Sequence, residues 1–197
     1  IRCPDSVPLK ELAATQSSMK ILNAGWGLVA HPTQALLDTM TMKDEFGNLV
    51  GKKLLIVGDV KHSRVASSHF ELFPKSGVQV AVCGPSEFLE GVSGVQKFTS
   101  LNEGLEWADA IMALRVQFER HGKKMEISKA EYRGQYGLCA QKVKKLNPKG
   151  IIMHPGPVNW GIEMETEILQ DSRCRILQQV TNGVYIREAL MRWLRGE

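Results

Sequence analysis

Four short stretches of this chain hold the residues that could do chemistry. His31-Pro32-Thr33-Gln34 opens the apolar run ALLD, and Lys61, His62 and Arg64 follow the apolar segment LLIVG. Arg115-Val116-Gln117 follows AIMAL, and His154-Pro155-Gly156-Pro157 follows GIIM. Pro32 has the fixed φ of a first helical residue, so His31 and Gln34 flank a helix end whose free N–H groups and positive pole favour an anion. The planar forks of Arg64 and Arg115 match carboxylate or phosphate oxygens two at a time, which suits a dianion or two anions. The proline-stiffened loop at 154–157 offers backbone that a ligand can approach closely. Taken singly, each feature has an ordinary reading: a helix start, a surface ion-pair partner, a turn. What they share is position, because the last three stretches each follow an apolar run.

Those runs imply the elements that position the chemistry. Short β-branched segments at 19–24, 53–58, 79–83, 109–114 and 150–154 read as strands. Helical periodicity fills much of the space between them: Pro32 to about Phe46, Arg64 to about Pro74, and stretches near 101–107, 128–147 and 164–170. Glu90–Thr99, with two glycines and few large apolar residues, reads as a loop. The alternation predicts an α/β fold, a doubly wound parallel sheet with helices on both faces. In such a sheet ligands bind beyond the carboxyl ends of the strands, which is where Lys61, Arg64, Arg115, Gln117 and the 154–157 loop fall.

Composition narrows the function classes. The 197 residues, 43% hydrophobic, are enough for a sizeable core. The net charge of +4 comes from 25 basic and 21 acidic residues that are interspersed, so nucleic acid is not implied. No apolar run approaches the roughly 18 residues a membrane span needs, and no leader pattern is seen, so a soluble chain with no membrane partner is expected. Cys3, Cys83, Cys139 and Cys174 show no Cys-x-x-Cys pairing, which predicts reduced thiols in the cytoplasm. His31, His62 and His154 have no metal-ligand spacing. VGDVKHSRVASS sits where a dinucleotide fingerprint would but lacks its second and third glycines, and a phosphate-binding GxxxxGK[ST] is absent. No metal or organic cofactor is therefore expected.

Taken in order, NAGWG with HPTQALLD, then GDVKHSRVASS, LRVQFERH, IIMHPGPVNWG and NGVYIREAL resemble the catalytic chains of the aspartate carbamoyltransferase family of pyrimidine biosynthesis. The resemblance implies carbamoyl transfer from carbamoyl phosphate to the amino group of L-aspartate, giving N-carbamoyl-L-aspartate and phosphate without a cofactor. It implies that His31 hydrogen-bonds the carbonyl oxygen, Gln34 holds the carbamoyl amide, and Arg2 contacts phosphate and carbonyl. It further implies that Arg64 and Arg115 clamp the aspartate carboxylates with Gln117 close by, and that the Gly156-Pro157 backbone accepts from the carbamoyl NH₂; Lys61 is expected among the substrate-binding residues from its place beyond a strand. The sister ornithine enzymes typically carry a cysteine in the loop that here reads HPGP, and an ornithine-type transferase is the weaker alternative.

Three departures from the family pattern stand out. NAGDG reads Asn23-Ala24-Gly25-Trp26-Gly27, the arginine of NRG is Trp160, and the Ser-Thr-Arg-Thr phosphate loop occurs nowhere in the 197 residues. The resemblance therefore divides the chain into 1–35, a remnant of the carbamoyl-phosphate domain with the start of a linking helix; 36–182, the aspartate-binding domain; and 183–197, a helix returning to the first domain. It leaves two readings: part of an enzyme, or a truncated non-catalytic homologue that partners carbamoyltransferase subunits. Ile186, Ala189, Leu190, Trp193 and Leu194 make an apolar helical stripe, which points to a trimer-type homo-oligomer or a complex with a chain carrying the missing domain.

Overall fold

A computed structural model describes residues 1–15, 19–117 and 127–197. In chain order its elements are α1 (Leu9–Thr15), α2 (Pro32–Phe46), β1 (Lys53–Val57), α3 (Arg64–Leu72), β2 (Gln79–Cys83), β3 (Gln96–Phe98), α4 (Leu101–Trp107), β4 (Ala110–Ala113), α5 (Lys129–Tyr136), α6 (Ala140–Val143), β5 (Ile151–Met153) and α7 (Ile176–Arg195). The strands form one all-parallel sheet in the order β3-β2-β1-β4-β5. Chain order reverses direction at β1 and β4, so the crevice that a doubly wound sheet offers to ligands lies above their carboxyl ends.

Strand periodicity sorts the core into two layers, because alternate residues face opposite sides of the sheet. Leu55, Val57, Ile111, Ala113 and Ile152 pack with Leu105 of α4, Tyr132 of α5 and Leu138 on one face. Leu54, Ile56, Met112, Ile151 and Met153 pack with Met42 of α2, Ala66 of α3 and Phe73 on the other. Covered on both sides, the central strands are continuous apolar runs, which is why they were legible in sequence. Among the described residues no helix is long and apolar enough to cross a membrane.

Several elements differ from expectation. Residues 19–24 form no strand of the sheet. Their backbone bonds instead with the start of the chain, the Ile1 ammonium donating to the Leu22 carbonyl at 2.7 Å and the Ala24 N–H to the Ile1 carbonyl at 2.8 Å. The remaining strand, β3, lies inside the stretch read as a loop; it is an edge strand whose Gln96 and Lys97 are exposed, so it carries no apolar pattern. The helix expected over 128–147 is two helices broken at Gly137, where a Cβ would sit 2.6 Å from the carbonyl oxygens of Arg133 and Ile162. Residues Thr166–Gln170 form a 3₁₀ helix rather than an α-helix, and α3 stops at Leu72 before a 3₁₀ turn at Pro74–Ser76.

The divisions at 35/36 and 182/183 fall inside α2 and α7, which carry the chain through them without a break. The two helices are joined by polar contacts. Arg175 grips Glu45 with two bonds of 2.7 Å, and Asn182 donates to Thr41 and Asp44. Of the stripe at the end of α7, Ile186, Leu190 and Leu194 are half-buried, while Trp193 is 69% exposed.

Candidate active site

The crevice at the switch point is a cleft of ≈ 930 Å³. Among the residues lining it are Arg2, His31, Gln34, Arg64, Arg115, Gln117, Gly156 and Pro157, so eight of the nine residues singled out in sequence come together. Lys61 does not line it: its ammonium pairs with Glu90, which holds the Glu90 carboxyl below the ordinary range. It follows β1 as expected, but the turn after Asp59 sends its side chain away from the crevice toward Glu90.

Each wall has a local cause. At the start of α2 the His31 N–H donates to Ser68 Oγ of α3 at 2.7 Å, which fixes the helix entrance against its neighbour. Thr33 Oγ1 lies 3.3 Å from His31 Nδ1. Burial, followed by the fields of Arg64, Arg2 and Arg187, pushes the His31 pKa down from 6.5 to about 4, with Asp38 opposing. The imidazole is therefore neutral at pH 7. A Thr33 hydroxyl that donates to Nδ1 leaves the ring proton on Nε2, the tautomer in which a neutral His31 can donate.

Beyond β1, Asp59 accepts from His62 through both the backbone N–H and Nδ1, at 3.3 and 2.8 Å. Ser63 then caps α3 by accepting from the Ala66 N–H, which places Arg64 in the first turn. The Arg64 guanidinium reaches the Gly27 carbonyl and passes so close to Gly25, whose φ is +131°, that a Cβ there would lie 3.1 Å from its Cζ.

Beyond β4, Arg115 Nε donates to Asn159 Oδ1 at 3.4 Å, and Asn159 Nδ2 donates to the Val116 carbonyl at 3.0 Å. The loop after β5 thus steadies the loop after β4. That loop is itself anchored: the His154 N–H donates to Gln179 Oε1 of α7, the Gly156 N–H to His154 Nδ1, and the Asn159 N–H to the buried Glu163 carboxylate. The Gly156–Pro157 bond within it is cis.

Sequence reasoning missed Arg187, Asp59 and, as a cleft residue, His62. Arg187 lies one turn beyond Gly183 on α7, and its Nη1 donates to the Gly183 carbonyl. Of the two tryptophans that depart from the family pattern, Trp160 is 40% exposed on the loop after β5. Trp26 lines a separate apolar groove that also includes Leu9, Ala35 and Leu72. Residues 118–121 of LRVQFERH lie outside the described residues.

Chemically, arginines from the amino-terminal segment, α3, the β4 loop and α7 surround a neutral imidazole and a carboxamide at the mouth of a helix. Such an arrangement can hold anionic groups and polarise a group between them. The family model for the aspartate/ornithine carbamoyltransferase Asp/Orn-binding domain matches residues 50–194. The chain belongs to this family.

It is 41% identical over 194 residues to the aspartate carbamoyltransferase catalytic subunit of Helicobacter pylori, covering 96% of this chain and 62% of that one. With the Desulfitobacterium hafniense subunit the identity is 43% over 189 residues, covering 94% and 61%. Trypanosoma cruzi aspartate transcarbamoylase crystallised with carbamoyl phosphate superposes with a TM-score of 0.78 at 27% identity, covering 92% of this chain and 61% of that one. The chain therefore spans about three-fifths of the length of these relatives.

Proposed function

We propose that this chain supplies the aspartate-binding part of a carbamoyltransferase site, for transfer of the carbamoyl group of carbamoyl phosphate to the amine of L-aspartate. The observation that carries the reading is the convergence of Arg64, Arg115, His31 and Gln34 on one cleft at the switch point of the sheet. Trypanosoma cruzi aspartate transcarbamoylase has been crystallised with carbamoyl aspartate and phosphate, which supports the same ligand class here.

In this reading Arg64 and Arg115, with Gln117 beside them, hold the two carboxylates of aspartate, and Arg2 offers charge to the phosphate. The aspartate nitrogen attacks the carbonyl carbon and the carbonyl oxygen takes on negative charge; as the tetrahedral centre collapses the C–O bond to phosphate breaks, and the departing phosphate takes the proton that the nitrogen gives up. His31, neutral and donating through Nε2, stabilises that oxygen without adding a charge that would bind the ground state equally well. Gln34 and the Gly156-Pro157 backbone face the carbamoyl NH₂. Most of the catalysis comes from holding two mutually repelling anions together in a reactive geometry.

The domain division at 1–35, 36–182 and 183–197 is kept in this proposal, with α2 and α7 as the links between domains. A cytoplasmic setting is supported by four cysteines that are all free thiols. Assembly as a trimer-type oligomer, or with a chain carrying the rest of the family's site, is supported by the exposed Trp193, Met191 and Val184 on α7. The exposed Trp193 and Trp160, with Trp26 in place of the family's acid, favour a second reading, a non-catalytic partner of carbamoyltransferase subunits.

Calorimetric titration with N-carbamoyl-L-aspartate and with citrulline tests the substrate class. Citrulline offers the same ureido group without the second carboxylate. The aspartate product binds at least about tenfold tighter if two arginines each meet a carboxylate; equal affinity, or a preference for citrulline, would favour the ornithine-type alternative.

A further inference from the structure

Behind the cleft lies a carboxylate that the reaction does not touch. Asp38 of α2 is fully buried and receives three hydrogen bonds from three helices: Gln34 Nε2 of α2 at 3.0 Å and Gln179 Nε2 of α7 at 2.7 Å on Oδ1, and His69 Nε2 of α3 at 2.8 Å on Oδ2. An ionised carboxylate can only accept, so each glutamine must turn its NH₂ toward Asp38 and its oxygen away. For Gln179 the other end gives an independent check. Its Oε1 faces the His154 N–H, which can only donate, at 2.9 Å. For Gln34 the oxygen is what remains for the cleft that this side chain lines.

We propose that Asp38 is a positioning residue that fixes the Gln34 carboxamide with its oxygen toward the ligand, and so makes the site select a carbamoyl NH₂ over an acyl group of the same shape. A glutamine free to flip would serve a donor or an acceptor equally. Held by Asp38, it is an acceptor only, and an acetyl methyl in place of the NH₂ leaves that acceptor buried and unsatisfied. Through Gln179 the same carboxylate anchors His154, whose Nδ1 accepts from Gly156, so one group sets both surfaces that face the carbamoyl nitrogen. This inference rests on the carbamoyl-aspartate reading of the cleft.

The test compares N-carbamoyl-L-aspartate with N-acetyl-L-aspartate, which differ only by NH₂ against CH₃, binding to the full chain by calorimetry. The wild-type chain prefers the carbamoyl ligand by roughly tenfold or more. Asp38→Leu brings the two affinities to within about twofold while largely keeping affinity for the acetyl ligand, and Asp38→Asn, whose oxygen still accepts both glutamine N–H groups, keeps the preference. A wild-type chain that binds both ligands equally, or an Asp38→Leu chain that keeps the preference, overturns the proposal.

Should Asp38→Leu fail to fold, the Gln34 side-chain NH₂ in the ¹⁵N-labelled wild-type chain decides. Slow solvent exchange of that NH₂ supports the assignment, and rapid exchange overturns it. This second measurement needs no ligand. A wild-type chain that binds neither compound would count against the carbamoyl-aspartate reading, while the NH₂ measurement still judges the hold of Asp38 on Gln34.

Discussion

Acidification tests the electrostatics of the cleft through one side chain. His31 is held at about 4, against 6.5 for an unperturbed histidine, first by burial and then by Arg64, Arg2 and Arg187. At pH 7 a histidine at 6.5 is about one-quarter protonated, whereas one at 4 carries a proton about one time in a thousand. Between those values the unfolded chain takes up a proton that the folded chain refuses. The contribution of His31 to stability is therefore complete above pH 6.5 and is lost as pH falls from 6.5 toward 4.

Titration of ¹³C-labelled histidine followed by NMR, with His31 assigned by its absence in His31→Gln, reads this directly. The His31 signal titrates near 4 in the free chain. It moves upward when dianionic N-carbamoyl-L-aspartate occupies the cleft, because the carboxylates offset the arginine field. Over the same window His31→Gln loses less thermal stability than the wild type. A His31 signal titrating between 6 and 7 in the free chain would refute the argument, since it would require the ring to be open to water and the arginines to lie too far away to act on it.

Arg115→Ala weakens N-carbamoyl-L-aspartate binding by roughly tenfold to a hundredfold, the worth of a lost charge-assisted bond; unchanged calorimetric affinity would remove Arg115 from the site. Gly25→Ala adds a Cβ at a φ of +131° and 3.1 Å from the Arg64 guanidinium, so it costs about 1–3 kcal/mol in denaturant unfolding and lowers ligand affinity as Arg64 is displaced. Unchanged values of both would show that Arg64 does not need this approach. Trp193→Asp, at an exposed position, changes the unfolding free energy by no more than about 0.5 kcal/mol but shifts sedimentation at low micromolar concentration toward the monomer. An oligomer that survives it does not depend on this face of α7.

What the sequence disclosed follows from where each signal originates. β1, β2, β4 and β5 announce themselves because burial on both faces demands unbroken apolar runs, and α2 because Pro32 marks its start. β3 does not, since an edge strand with Gln96 and Lys97 in solvent needs no apolar residues. The segment 19–24 has the right composition for a strand, but its backbone partners are Ile1 and its neighbours, a tertiary choice invisible in local pattern.

In the site, Arg64, Arg115 and the 154–157 loop could be placed because strand ends in this topology converge, and His31 and Gln34 because Pro32 marks the start of α2. Lys61 fell on the same kind of strand end, yet one turn of backbone directed it to Glu90. Gln179 and Asp38 were hidden inside helices, where a polar residue reads as solvent-facing until the packing of α2 on α7 shows otherwise, and Arg187 is an exposed helix residue whose place at the cleft only the fold reveals.

The central claim is that one cleft holds a carbamoyl-aspartate dianion. A crystal structure of the chain with N-carbamoyl-L-aspartate tests it most directly. The account predicts one carboxylate on Arg64, the other on Arg115, the ureido oxygen toward His31 Nε2 and the ureido NH₂ against Gln34 Oε1. Ligand bound elsewhere, such as at the surface hollow lined by Arg133 and Lys142, or bound in the cleft with its carboxylates on Arg2 and Arg187, would contradict it.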